Sequence, residues 1–149
     1  MDALRQYKGA IGPDFSTYTD YPLPLQRWNI YRSKLLMQYW QSEGIEVIPN
    51  LQWSTEESYD FAFDGMPQGG TVAVSTVGVH KSSEANQLFV RGVQEAWMRL
   101  QFDTLMMYGK RVDVGLPGAV TIKTYANDNQ ERVKKWVVEA QAAAEVRES

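Results

Sequence analysis

The sequence predicts an α/β protein of about five βα units with a mainly parallel sheet. Short apolar segments alternate with segments of helical periodicity, and this alternation is typical of parallel α/β folds. The clearest strand, TVAVSTVG at 71–78, is rich in β-branched residues and bounded by glycine, as a buried parallel strand should be. Because a closed barrel has eight units, we expect either an open, doubly wound sheet or a partial (half) barrel.

The first two units occupy residues 9 to 63. The predicted elements are a strand at 9–16, a helix at 24–44, a strand at 45–53 and a short helix that ends near Phe63. Pro24 near the first turn and Gly44 at the end suit the long helix. Ser54 and Glu57 have the spacing of a capping box, which predicts the start of the short helix.

The remaining units follow the strand at 71–78. The predicted elements are a helix at about 83–100, a strand at 103–109, a loop at 110–119 and a strand at 120–126. Asp128 and Glu131 then open a final helix, in which Val133, Trp136 and Val137 recur at helical spacing.

Composition limits the classes of function. The 149 residues suit one domain, 1–149, and 44% hydrophobic residues can form a core. A net charge of -3 gives no strong nucleic-acid signal. The chain has no cysteine and one histidine, so Cys-based and His-rich metal sites are excluded, and we assign no metal. No window approaches the roughly 18 apolar residues of a membrane span, so a cytoplasmic location is expected.

Loops at the carboxyl ends of parallel strands form the usual ligand-binding edge of an α/β sheet. Asp14 follows the first predicted strand, Trp53 ends the second, and Ser75 and Thr76 lie near the end of the third. Trp53 stands apart from its aromatic neighbours, which are expected in the core, because it ends a strand and could stack on a ring or sugar. We therefore expect these side chains to meet at one edge.

Arg32 lies on the apolar stripe of the first predicted helix, so its guanidinium needs a partner. The residues of this stripe are Leu25, Trp28, Arg32, Leu35, Leu36 and Tyr39. Asp14 or Asp20 is the nearest candidate carboxylate. Two interpretations are open: a buried Arg-Asp pair that fixes the loop onto the helix, or a clamp in which Arg32 holds an anionic ligand while Asp14 orients a hydroxyl or water.

The segment VSTVGVHKSS at 74–83 brings hydroxyls, a glycine and a helix start together, which suits a phosphate or carboxylate. It matches neither the Walker A loop nor the GxGxxG fingerprint, so no cofactor is assigned. The structural alternative is that Ser82 or Ser83 caps the helix and Thr76 bonds to backbone. His80 could act as a general base oriented by Asp14 or Asp113, although no nucleophile elbow surrounds any serine. No catalytic residue is assigned.

Several motifs resemble the bacterial and phage family of domains of unknown function numbered 4417. The motifs are PDFS, DxP, QxWNxYR, YWQ with a following glycine, VIP with a following Trp, FxGxP and STxG, and they lie here at 13–16, 20–22, 26–32, 39–44, 47–53, 63–67 and 75–78. The resemblance implies a phage origin and, with it, the host cytoplasm. Related chains carry more sequence before PDFS, which argues against a complete barrel and suggests that a second copy supplies the missing layer.

Two functional hypotheses follow. In the first, the protein binds a small polar or anionic, nucleotide-like ligand at the carboxyl ends of the strands, through Asp14, Asn29, Arg32, Trp53, Ser75 and Thr76. In the second, it is a non-enzymatic interaction or assembly protein of a phage, in which these residues form a buried polar network. Under either hypothesis we expect self-association, because several segments of the chain carry large aromatic side chains.

Overall fold

The computed structural model describes residues 3–127. Its helices and strands are β1 (Ala10–Ile11), α1 (Leu23–Ser42), β2 (Val47–Ile48), α2 (Tyr59–Phe63), β3 (Thr71–Ser75), α3 (Ser83–Leu100), β4 (Thr104–Tyr108) and β5 (Thr121–Tyr125). The helix predicted from Asp128 onwards lies outside the described residues.

Helix α1 begins and ends where the sequence predicts. Pro24 lies in its first turn, where a missing N–H costs no hydrogen bond. At the other end Gly44 has φ +78°, and the Ile45 N–H donates to the Trp40 carbonyl at 3.0 Å. This is the hydrogen-bond pattern of a Schellman cap, which needs a residue that tolerates positive φ.

The strands form two small parallel sheets. β1 pairs with β2, while β3, β4 and β5 form a second sheet in chain order. A single bridge between Asn50 and Ala73 joins them, because the Leu51 N–H donates to Ala73 O and the Ala73 N–H to Pro49 O. The α/β class is confirmed, and no closed barrel forms among the described strands.

Five complete βα units are not observed among the described residues. The segment from 109 to 120 joins the parallel strands β4 and β5 without a helix, in agreement with the loop predicted at 110–119. β1 and β2 are much shorter than predicted, since Pro13 and Pro49 have no N–H to donate to a ladder. Neither the doubly wound sheet nor the half barrel is confirmed.

The main core lies between the second sheet and α3. Val72 and Val74 of β3 and Leu105 and Met107 of β4 project to the same face, because alternate residues of a strand do so. The α2 and α3 side chains that cover them are Phe63, Phe89, Val93, Ala96 and Leu100. This core fixes β3 and β4, whose carboxyl ends carry the candidate site.

Candidate functional site at the carboxyl ends of the strands

The buried side of α1 is polar, contrary to the predicted stripe. Gln26, Asn29 and Ser33 are buried together with Ile30 and Met37. Leu25, Trp28, Leu35 and Tyr39 of the predicted stripe are exposed, as is Tyr31. The prediction that the stripe faces the core is therefore wrong.

The physical reason is the loop between β1 and α1, whose carbonyls need donors. The Asn29 amide donates to Ser16 O at 2.6 Å, the Gln26 amide to Tyr21 O at 2.8 Å, and the Ser33 hydroxyl to Pro13 O at 2.7 Å. These three helix side chains are buried, and a buried polar side chain without a hydrogen bond costs about 1–3 kcal/mol, so the polar side of the helix faces the loop that supplies its acceptors.

Arg32 forms no ion pair within the described part of the chain. Its guanidinium carbon lies 3.9 Å from the centroid of the Phe15 ring, and the Arg32 Nε makes no hydrogen bond to described residues. The predicted pair with Asp14 or Asp20 is therefore wrong. A planar guanidinium can stack on an aromatic face, and this cation-π contact stands in the place of the predicted carboxylate.

Asp14 pairs instead with an amide. Its Oδ1 accepts a hydrogen bond from Gln52 Nε2, which also donates to Phe15 O at 3.2 Å. Gln52 is buried at the end of the second predicted strand. The loop after β1 is thus held to the segment after β2, and the second carboxylate oxygen of Asp14 has no partner among the described residues.

A cavity of about 510 Å³ lies between the loop after β1, the segment after β2 and the start of α3. We call it the Trp53 cavity; it is lined by Asp14, Ser16, Thr17, Tyr18, Thr19, Leu51, Gln52, Trp53, Ser54, Ser75, Val77, Gly78, Val79, Lys81, Ala85, Leu88 and Phe89. It brings together three of the six predicted site residues, namely Asp14, Trp53 and Ser75. Asn29 and Arg32 line neither this cavity nor the next.

Trp53 forms one wall and is itself part of the core. Its indole packs against Phe63 and Phe89, with ring centroids 5.8 and 5.7 Å away, and its Nε1 donates to Leu88 O at 3.3 Å. α3 approaches closely because residue 92 is glycine: a Cβ there would lie 1.9 Å from the Trp53 Nε1.

Ser54 is buried beside Trp53, and its hydroxyl makes no hydrogen bond to the described residues. The predicted capping box does not form. The Ser58 hydroxyl takes its place, accepting from the Ser54 N–H at 2.8 Å and donating to Thr55 O at 2.7 Å. Because Ser58 satisfies this turn, the Ser54 hydroxyl has no hydrogen-bond partner among the described residues.

A second cavity, of about 610 Å³, lies at the carboxyl ends of β3, β4 and β5. We call it the basic cavity; it is lined by Thr76, Val77, Gly78, His80, Lys81, Gly109, Lys110, Arg111, Thr124, Ala126 and Asn127. Thr76, the remaining predicted site residue of this edge, is buried and donates to Tyr108 O at 3.3 Å. Gly109 makes room for it, since a Cβ there would meet the Thr76 hydroxyl oxygen at 2.4 Å.

Lys81 and Arg111 are two residues of the basic cavity that the sequence did not predict as site residues. The signal was present as two basic dipeptides, His80-Lys81 and Lys110-Arg111, that follow neighbouring parallel strands. Of the alternatives for 74–83, the structural one is observed, since Ser82 Oγ accepts from the Ala85 N–H at 3.0 Å and Thr76 bonds to backbone. His80 makes no hydrogen bond with Asp14 or Asp113, so no triad is assembled.

Among residues 3–127, no cluster of three or more His, Cys, Asp or Glu side chains could hold a metal ion. None of the helices described there is long and apolar enough to span a bilayer.

Comparison with known proteins relates the chain to phages. The family described as Domain of unknown function (DUF4417) matches residues 1–126. "Gene 1 protein" of Mycobacterium phage L5 is 42% identical over 140 residues, which cover 92% of this chain and 59% of that protein. "Gene 1 protein" of Mycobacterium phage D29 is 40% identical over 141 residues, or 92% and 52%. The chain thus spans about half the length of these relatives. No solved structure matches it.

Proposed function

This chain belongs to the phage-associated family described as Domain of unknown function (DUF4417), and we propose that it binds a small polar or anionic ligand at the carboxyl ends of its strands. The proposed location is the cytoplasm of the phage's host, where nucleotide-like compounds are abundant. The binding site is the Trp53 cavity.

The observation that carries this proposal is the exposed Asp14 carboxylate, which lines the Trp53 cavity. Its Oδ1 accepts from Gln52, whereas its other oxygen makes no hydrogen bond to the described residues. That oxygen is able to accept a hydrogen bond from a ligand hydroxyl or amine. The Trp53 side chain beside it gives the cavity an aromatic wall on which a ring could pack.

Native mass spectrometry of the purified protein, followed by thermal shift with nucleotides and sugars, tests the proposal. We expect a bound small molecule or a raised melting temperature in the wild type, and loss of either in Asp14→Asn. Asp20→Asn is the matched control, since Asp20 lies in the same loop but lines neither cavity. A clean spectrum with no thermal shift, or equal binding by all variants, would count against this site.

A second candidate function is self-association through the exposed face of α1. This surface, the α1 apolar face, consists of Leu25, Trp28, Tyr31, Leu35 and Tyr39. Trp28 and Tyr31 are 55% and 56% exposed and stack on each other with centroids 5.8 Å apart. A homodimer with two-fold symmetry joins the same surface of both copies, and a second copy of this chain has the same apolar helix face. Self-association through this face would make the chain an assembly protein.

Sedimentation equilibrium tests the second function. We expect a dimer that Leu35→Glu converts to a monomer, whereas Gln41→Glu, which adds the same charge at an exposed position on another side of α1, leaves it dimeric. A wild-type monomer at all concentrations would exclude self-association through this face.

A further inference from the structure

The Trp53 cavity and the basic cavity are neighbours that share one wall. Val77, Gly78 and Lys81 line both of them. The Lys81 side chain lies over the turn at Gly78, with its Cε 3.8 Å from the point where a Cβ on Gly78 would be. A molecule longer than either cavity can therefore cross this turn and occupy both.

The basic cavity is positively charged although the whole chain is not. Lys81, Lys110 and Arg111 lie around it with His80, and none of the described residues lining it is acidic. Within residues 3–127 none of these side chains takes part in an ion pair, whereas Arg5, Arg91 and Arg99 do. Because the chain has a net charge of -3, unpaired cations concentrated at one cavity indicate an anionic ligand there.

The Trp53 cavity has a different chemistry. It presents an aromatic wall and the Asp14 carboxylate, which together suit a ring that bears hydroxyl or amine groups. A carboxylate that accepts from sugar hydroxyls is a common element of nucleotide sites. Each cavity has a volume within the range of about 300–1,000 Å³ that is typical of small-molecule sites.

We propose that the two cavities together bind one nucleotide, with the nucleoside in the Trp53 cavity and the phosphate groups in the basic cavity. This inference rests on the proposed function, because it uses the Trp53 cavity as half of the site. Lys81, on the shared wall, lies at the junction of nucleoside and phosphate. Lys110 and Arg111 supply the charge that neutralises the outer phosphate oxygens.

Isothermal titration calorimetry with the common ribonucleoside diphosphates, the matching nucleosides and inorganic pyrophosphate tests the inference. The key variant is Lys110→Gln/Arg111→Gln; both side chains are exposed, so the fold should be kept. The matched control is Lys8→Gln/Arg91→Gln, which removes the same charge from exposed positions that line neither cavity. Melting temperatures of all proteins check that they are folded.

We expect at least one diphosphate to bind about tenfold or more tightly than its nucleoside, because phosphate oxygens add charge-assisted hydrogen bonds that the nucleoside lacks. The Lys110→Gln/Arg111→Gln variant should lose this difference and keep the affinity for the nucleoside. The control variant should bind both as the wild type does. Pyrophosphate alone should bind more weakly than the diphosphate.

Four results would overturn the inference. If diphosphate and nucleoside bind equally, or if Lys110→Gln/Arg111→Gln keeps the difference, the phosphates do not occupy the basic cavity, and the proposed function survives. If pyrophosphate binds as tightly as every diphosphate, the basic cavity is a separate anion site. If no nucleoside or nucleotide binds, the ligand is not a nucleotide, and an Asp14-dependent adduct in native mass spectrometry would still support the proposed function.

Discussion

The Arg32 guanidinium lies over the Phe15 ring, with the guanidinium carbon 3.9 Å from the ring centroid. This contact joins α1 to the loop after β1, a role that the sequence assigned to an ion pair with Asp14 or Asp20. In the structure, Asp14 accepts from Gln52 instead. A double-mutant cycle can therefore show whether Arg32 is coupled to Phe15, as in the structure, or to Asp14, as an ion pair would require.

We expect Arg32→Met and Phe15→Leu to show a coupling free energy of about 0.5–2 kcal/mol, the range for a cation-π pair between exposed and desolvated sites, because both residues are half-buried. Arg32→Met and Asp14→Asn should be additive within about 0.5 kcal/mol. Urea unfolding of the single and double variants measures both values. A larger coupling with Asp14 than with Phe15 would show that the ion pair forms in solution.

Gly92 and Trp53 define a packing limit. Alanine in a helix is normally favoured over glycine by about 1 kcal/mol. At Gly92, however, the added Cβ would lie 1.9 Å from the Trp53 Nε1, so the indole or the helix must move. We expect Gly92→Ala to lower the free energy of unfolding by about 1–3 kcal/mol, measured by urea unfolding.

Gly118→Ala is the matched control for Gly92→Ala, because a Cβ at Gly118 meets nothing within 4 Å. We expect that change to stay within about 0.5 kcal/mol of the wild type. Gly92→Ala should also weaken any ligand bound in the Trp53 cavity, since Trp53 forms one wall of it. Equal stability of the two variants would show that Trp53 is not held against α3 as described.

Ser33 and Ser42 provide a test of the polar buried side of α1. Both hydroxyls donate to a carbonyl at 2.7 Å, but Ser33 is buried and reaches Pro13 in the loop, whereas Ser42 is exposed and reaches Tyr39 in its own helix. We expect Ser33→Ala to cost about 0.5–1.5 kcal/mol in thermal or urea unfolding, because it removes the hydrogen bond from the buried Ser33 hydroxyl to the Pro13 carbonyl. Ser42→Ala should cost less than about 0.5 kcal/mol.

If Ser33→Ala and Ser42→Ala cost the same, the loop after β1 does not depend on α1 for its hydrogen bonds.

Tyr59 should make stability depend on alkaline pH. Burial raises the pKa of its hydroxyl above the ordinary value of 10.0, and the nearby Glu56 and Glu95 raise it further. Above about pH 10 the unfolded chain loses a proton that the folded chain keeps, so the free energy of unfolding falls as pH rises towards the folded pKa. Tyr59→Phe should reduce that fall, which urea unfolding between pH 8 and pH 11 measures.

At neutral pH, Tyr59→Phe should leave stability unchanged or raise it by up to about 1 kcal/mol, since the buried hydroxyl has no hydrogen-bond partner among the described residues. Tyr125→Phe, at an exposed position of β5, is the control for a general effect of losing a phenol. A loss of more than about 1 kcal/mol in Tyr59→Phe would show that the hydroxyl has a partner in solution.

Local patterns predicted most elements well. The Pro24 and Gly44 signals placed the ends of α1 within about two residues, and the β-branched run at 71–78 gave β3. Spacing placed Tyr59 and Phe63 in the core, where they are buried. The first two strands are shorter than predicted because Pro13 and Pro49 have no N–H to donate to a neighbouring strand. The sequence pattern does not specify which strand that neighbour is.

By itself, the sequence determined the α/β class, the family and the edge of the sheet at which Asp14, Trp53 and Ser75 meet, because strand and helix periods are local and carboxyl ends of parallel strands converge.

Only the tertiary structure decided which side of α1 is buried. There, Asn29 and Ser33 are buried because they donate hydrogen bonds to carbonyls of the loop after β1. Trp28 and Leu35 are left exposed on the other side of the helix. Arg32 stacks on Phe15. Only the tertiary structure, too, brought Lys81 together with Arg111, since these residues lie thirty positions apart and share one cavity only through the pairing of β3 with β4.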